Sequence, residues 1–346
     1  MRKINILNIN FVVVLTSLSF CIGFELGKYY PNKNSLQTIP LFSRRVLDKY
    51  SIPALTKLEI PTGKLTLEEF EKGDNYNRAT FNFEYLPQLS GDTKQTSGEV
   101  RMPEKSGKYP LVIMFRGYVD ETIYETGLGT RNASIYLTQN GFITLAPDFL
   151  GYANSDEQAE NIFESRFQTY TLALSLINTV KSGQLPTEIK NVWDGTNIFI
   201  WAHSNGGQIA LTALEVVNYT IPTALWAPVS KPFPYSILYY TDDSQDGGKY
   251  IRNQLADFEK IYNTNRYSLV EFLDQIDSPI LLQQGTQDSA VPIAWSNLFN
   301  LQLRKLNKEI EYKIYNGADH NFRPLWNEAM SDTLNFYNSK IVETVL

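Results

Sequence analysis

One stretch restricts the fold of this chain more than any other: Asn197-Ile198-Phe199-Ile200-Trp201-Ala202-His203-Ser204-Asn205-Gly206-Gly207-Gln208-Ile209-Ala210-Leu211. It reads as an apolar strand, a sharp turn with serine at its apex, and a helix that begins at once. That is the layout of a nucleophile elbow, usually written G-x-S-x-G, with Ala202 here at the first position. The small residues have a steric reason. A serine held in a strained turn needs neighbours that let strand and helix approach closely. A Gly-rich strand-to-helix turn can also serve an ordinary doubly wound sheet, phosphate-binding loops included, so the rest of the chain must decide.

The 346 residues suffice for one large domain or two small ones. With 31 basic and 37 acidic residues the formal charge is −6. No basic run or basic-aromatic face stands out, which argues against a nucleic-acid partner. The single cysteine, Cys21, excludes an intrachain disulfide. Only two histidines occur, His203 and His320. A His-rich metal site is therefore improbable, and few residues could act as a histidine base. No zinc motif, nucleotide-binding fingerprint or internal repeat is found, so no cofactor is expected.

Residues 1–27 read as a targeting segment. Arg2 and Lys3 precede an apolar run, clearest from Phe11 to Phe24. The run lacks a strong small-x-small cleavage site and suits an uncleaved signal anchor or a signal peptide. The expectation is attachment to a membrane with the remainder outside the cytoplasm, or secretion if the segment is cleaved. Residues 28–75 read as a polar, proline-punctuated linker with short helices near Phe42–Tyr50 and Leu65–Lys72.

From Tyr76 the pattern changes. Alternation over Thr80–Leu86 predicts a half-buried strand, with Gln95–Met102 as its hairpin partner. Pro110–Phe115 is continuously apolar, the mark of a strand buried on both faces. Helix and strand signals then alternate. Helices are expected at Ile135–Gln139, Phe163–Lys181, Gln208–Val217, Ala294–Asn307 and Leu325–Ser339. Strands are expected at Gly141–Ala146, Asn197–Ala202, Thr223–Ala227, Pro279–Gln283 and Ile310–Tyr315. The fold class is α/β: a mostly parallel, doubly wound sheet of about eight strands over 76–346. Residues 228–278 interrupt the rhythm with an aromatic-rich segment, expected as a helical lid over the carboxyl ends of the strands.

A serine hydroxyl needs a base to take its proton and an acid to orient that base. In sheets built around such an elbow the order is serine, acid, histidine, each on a loop after a strand. His203 adjoins Ser204, so its ring cannot easily fold back onto the same Oγ. His320 remains, in the loop after Ile310–Tyr315. Asp288, in the loop after Pro279–Gln283, is the matching acid. Asp274 and Asp277 precede that strand and lie at the wrong end, and Asp319 adjoins His320 and is poorly placed to accept from its Nδ1. The oxyanion of an acyl transfer needs two aimed donors. These are the N–H of Asn205 and either the N–H or the hydroxyl of Tyr118, in the loop after Phe115.

Five signals carry a family resemblance: Arg116-Gly117-Tyr118, the turn Ala146–Tyr152, His203–Gly207, Gly285–Pro292 and Asp319–Phe322. From about Tyr76 to Leu346 the chain resembles α/β-hydrolases of the prolyl-oligopeptidase and dienelactone-hydrolase type. The resemblance implies a Ser204–Asp288–His320 triad and cleavage of an amide or ester through an acyl-enzyme, with a peptidase favoured. The substrate would be a short peptide or a small-molecule ester. A carboxylesterase is the first alternative, and a silent binding protein on the same fold is the second. Two departures stand out. Arg116 occupies the place of the family's usual histidine, where it is expected to pair with a carboxylate such as Asp148. The β-propeller of prolyl oligopeptidases has no room here. An aminopeptidase would further want carboxylates near the substrate amine, for which Asp242, Asp243 and Asp246 are available.

Overall fold

The computed structural model describes residues 45–244 and 246–342. The apolar segment 1–27 lies outside the described residues. Among the described residues, 45–244 and 246–342, no helix is long and apolar enough to cross a membrane.

The strands are β1 (Lys64–Leu67), β2 (Glu71–Lys72), β3 (Tyr76–Tyr85), β4 (Lys94–Pro103), β5 (Tyr109–Phe115), β6 (Ile143–Pro147), β7 (Trp193–His203), β8 (Thr223–Trp226), β9 (Ile280–Gly285) and β10 (Ile310–Tyr315). They form one ten-stranded sheet in the order β1-β3-β4-β6-β5-β7-β8-β9-β10, with β2 paired to β3 off that path. Strands β1 to β4 pair antiparallel, and β4 joins β6 antiparallel. From β6 to β10 every pairing is parallel.

The hydrophobic pattern accounts for this order. On β3, Ala79, Phe81, Phe83 and Tyr85 point into the core while the residues between them do not. On β5, residues 110–115 are all buried, as a strand covered on both faces requires. Helices Arg131–Gln139, Ile162–Lys181, Asn205–Val216, Ile293–Lys305 and Trp326–Lys340 follow or separate the parallel strands.

The segment Leu65–Lys72 is not helical as expected: it supplies β1 and β2, so the sheet has ten strands rather than about eight. Pairing with the long β3 overrides a local composition rich in leucine and glutamate. The stretch before it packs as well. Tyr50, Ile52 and Leu55 are buried, and Tyr50 donates to Glu164 Oε1 at 2.9 Å.

The inserted segment is anchored by aromatic packing. Phe233, Phe258 and Tyr267 stack around Phe163 and Phe167 of the helix Ile162–Lys181 at centroid separations of 4.8–6.1 Å. Each such pair adds about 0.5–1.5 kcal/mol beyond area burial. Tyr262 and Tyr267 are therefore core residues, whereas Tyr235 and Tyr239 face outward.

Glu215, on the helix that follows β7, is only 2% exposed, and neither carboxyl oxygen has a hydrogen-bond partner among the described residues. Burial pushes its carboxyl well above the ordinary range, and the charge of Asp274 adds to the effect. The folded protein thus holds Glu215 neutral while the unfolded chain ionises it. Its contribution to stability is complete below the unfolded value and is lost as pH rises, by about 1.4 kcal/mol per unit of displacement. Glu215→Gln should raise the melting temperature at pH 8 and change it little at pH 4. Thermal denaturation across that range checks this, and equal shifts at both ends would contradict it.

Candidate active site

The elbow forms as the sequence predicts. β7 ends at His203 and the helix starts at Asn205, with Ser204 between them at φ 56° and ψ −119°. A non-glycine residue there is strained by about 1–3 kcal/mol and persists only when its surroundings fix it. Three hydrogen bonds do so. Ser204 N donates to Trp226 O at 2.9 Å, and Ser204 O accepts from Gly207 N at 3.0 Å and Val229 N at 2.9 Å. A Cβ on Gly206 would collide with the carbonyls of Phe115 and Arg116. Ala202 is wholly buried between β5 and β8, so the residue in place of the usual glycine still fits.

The structure joins Asp288 and His320. His320 Nδ1 donates to Asp288 Oδ2 at 2.8 Å, which leaves Nε2 as the acceptor nitrogen of the neutral ring. Asp288 is held from every side. Its Oδ1 accepts from Ala290 N at 2.9 Å and Val291 N at 2.8 Å, and its Oδ2 also accepts from Gln284 Nε2 at 2.9 Å. Gln284 is itself fixed by Ser296 Oγ at 2.7 Å. Burial pushes the Asp288 carboxyl up, but the bond and charge of His320 with the backbone donors outweigh it and hold it below the usual range. Asp319 instead closes its own turn, accepting from Asn321 N and Arg323 N.

His203 ties the histidine loop to the elbow. Its Nε2 donates to His320 O at 3.0 Å, and the two rings lie 4.7 Å apart. Desolvation, with the neighbouring His320 ring, pulls His203 down to about 3, so it is neutral at physiological pH. Ser204 Oγ is enclosed and makes no hydrogen bond among the described residues.

The two residues expected to supply oxyanion donors line one cavity. Asn205 is the first residue of its helix, so its N–H has no intrahelical acceptor. The loop after β5 crosses directly over the serine, with a Cβ on Gly117 falling 3.0 Å from Ser204 Cβ. Asn205 and Tyr118 line one cavity with Arg116, Glu121, Arg166 and Tyr240. Val229, Ser236, Ile237 and Tyr240 of the inserted segment wall that cavity.

Arg116 does not pair with the Asp148 carboxylate. Its Nη2 donates to the backbone oxygen of Asp148 at 2.8 Å and its Nη1 to that of Gly117 at 3.0 Å. The guanidinium lies 3.9 Å from the centre of the Tyr152 ring and 4.4 Å from that of Tyr124. The Asp148 carboxylate accepts from neutral donors instead: Tyr124 OH at 2.5 Å, Ser97 Oγ at 2.7 Å, Thr126 Oγ1 at 2.9 Å and Gly127 N at 3.1 Å.

Two of the three carboxylates considered for an amine site are used elsewhere. Asp242 pairs with Arg252 on the surface, and Asp246 accepts from Gly248 N and Tyr250 N at the start of the helix Lys249–Ile261. Neither lines the cavity. Arg166, Gln208 and Tyr170 form a polar row that the sequence did not disclose. Arg166 Nη2 donates to Gln208 Oε1, and Gln208 Nε2 donates to Tyr170 OH at 3.1 Å.

Buried and bonded as it is, Arg116 braces the loop over Ser204. Arg116→Ala should cost about 2–4 kcal/mol of stability, read as a fall in melting temperature. Retention of the wild-type melting temperature would contradict this role.

Three comparisons with known proteins bear on this arrangement. Residues 130–343 match the model of the prolyl oligopeptidase family. Acetyl esterase Axe7A of Xylanibacter ruminicola is 27% identical over 240 residues, covering 64% of this chain and 52% of Axe7A. The chain thus spans about half the length of that relative. The uncharacterized peptidase YtmA of Bacillus subtilis is 25% identical over 239 residues, covering 68% of this chain and 85% of YtmA. Among solved structures, acetyl xylan esterase 1 from Thermoanaerobacterium sp. JW/SL YS485 superposes with a TM-score of 0.58 at 17% identity, covering 84% of this chain and 93% of that one. That likeness is one of fold. A family model matching well over half of the sequence, on an α/β-hydrolase sheet, makes this chain a member of the prolyl oligopeptidase family.

Proposed function

We propose that the protein hydrolyses small carboxylic esters through a covalent acyl-enzyme. Ser204 Oγ attacks the ester carbonyl carbon and His320 Nε2 takes its proton. Asp288 keeps the ring in that tautomer and stabilises the imidazolium. The N–H groups of Asn205 and Tyr118 receive the oxyanion. As the tetrahedral intermediate collapses, His320 returns the proton to the departing alcohol. Water then repeats the sequence on the acyl-enzyme and frees the acid.

The observation that carries this reading is the Asp288–His320 bond of 2.8 Å in a chain whose Ser204 occupies a strained elbow between β7 and a helix. The choice of ester over amide is supported by two acetyl esterases among the similar proteins and by the absence of Asp242 and Asp246 from the cavity. Cleavage of short peptides is the second reading. It draws on the likeness to YtmA and on Glu121, a carboxylate that does line the cavity. Membrane attachment through 1–27, with the hydrolase outside the cytoplasm, belongs to the same proposal and is supported only by that segment's composition.

Asp288→Asn should leave the fold intact and lower kcat by about a thousand- to ten-thousand-fold, because the ring loses its tautomer. Near-normal turnover would remove Asp288 from the mechanism. Against a panel of p-nitrophenyl esters and aminoacyl p-nitroanilides the ester reading expects turnover of short-chain esters with the anilides slower. Faster cleavage of the anilides would transfer the assignment to peptides.

A further inference from the structure

The cavity next to Ser204 contains a cation that the acyl-transfer chemistry does not use. Three charged residues line it: Arg116, Glu121 and Arg166. The charge of Arg116 is occupied by two carbonyls and two tyrosine rings. Glu121 accepts from Gln158 Nε2 at 3.3 Å, and no ion pair joins it to Arg166. Arg166 has no carboxylate within salt-bridge distance among the described residues, and its Nε lacks an acceptor. The same cavity is lined by Leu150, Ile162, Ile209 and Ile237. A part-buried guanidinium without a counterion, on a cavity with largely apolar walls, attracts an arriving anion.

The guanidinium is also positioned. Gln208 Oε1 accepts from it, and Gln208 is only 1% exposed and fixed by Tyr170. Gln208 stands four residues after Ser204 on the same helix, a rise of about 6 Å. The charge is therefore indexed to the nucleophile by one helical turn.

Direction follows from what lines the cavity. Asn205 and Tyr118, the residues proposed to receive the carbonyl oxygen of the acyl half, line it, whereas Ser204, Asp288 and His320 do not. A leaving group protonated by His320 departs on the histidine side. The chamber with Arg166 receives the acyl half, which stays bonded to Ser204.

We propose that Arg166 is a specificity residue that binds a carboxylate on the acyl half of the substrate, so that the preferred substrates are monoesters of short dicarboxylic acids. This rests on the ester-hydrolase reading above and names its substrate class. A planar carboxylate suits the fork of an arginine better than it would suit a lysine. No extra chemical step is involved: the ester bond is cleaved by water, and the carboxylate is carried through unchanged.

The test compares monomethyl glutarate with its neutral isostere, methyl glutaramate, by pH-stat titration of the released acid. The wild-type protein should favour the anion by about 10- to 100-fold in kcat/KM. That ratio should collapse toward one in Arg166→Met and recover in part in Arg166→Lys. Added salt should shrink it in the wild-type protein. A wild-type ratio near one, or a ratio that survives Arg166→Met, overturns the proposal while leaving the ester-hydrolase reading standing. Hydrolysis of both esters that persists in Ser204→Ala overturns that reading, and the acyl-side assignment of Arg166 falls with it.

Discussion

The architecture of this site depends on one strained residue. Ser204 has a backbone conformation that side chains rarely adopt, and it does so at the point where β7 gives way to a helix. The strain, of about 1–3 kcal/mol, presents Oγ at the carboxyl edge of the sheet. Neighbouring strands offset it. β8 accepts from the serine N–H, and the chain just beyond β8 donates to its carbonyl. Gly206 lets the helix pass beneath β5, and that in turn places the loop 116–118 over the serine. Ser204, Asn205, the loop 116–118 and the cavity wall therefore share one constraint, the close contact of β5, β7 and the helix after Ser204.

Two polar arrangements hold the remainder, and they solve the burial of charge differently. Asp288 is an ionised carboxylate surrounded by donors, so His320 meets a fixed negative charge rather than a mobile one. Arg116 and Asp148 are neighbours that do not pair. The cation is spread over carbonyls and tyrosine faces, while the carboxylate is satisfied by hydroxyls and a backbone N–H. Separate satisfaction leaves the Asp148 backbone oxygen to bind Arg116, which couples the turn after β6 to the loop after β5. An ion pair would have joined the same two residues without bracing that loop.

Much of this was legible in the sequence where residue type and position coincide. The elbow and Asp288 each follow a run of apolar residues that marks a buried strand, His320 follows the alternating strand Ile310–Tyr315, and a chain with two histidines leaves little choice. The alternation on β3 was equally plain. What stayed hidden was set by distant partners. Residues 64–72 carry the composition of a helix and became strands because β3 offered an unpaired edge. Arg116 was expected to seek a carboxylate, since nothing in the local sequence reveals that Tyr124 and Tyr152 would sandwich it. Arg166 reads as one more polar position on an amphipathic helix. Its meaning comes from Gln208, 42 positions away in sequence.

The central claim is that Ser204 is the nucleophile of a working acyl-transfer site, and covalent trapping measures that directly. Incubation with a fluorophosphonate, followed by peptide mapping in a mass spectrometer, should place one phosphonyl group on the peptide spanning Ser204. Prior denaturation should abolish the modification. A label on a different residue of the folded protein, or none under conditions where esters are hydrolysed, would contradict the account.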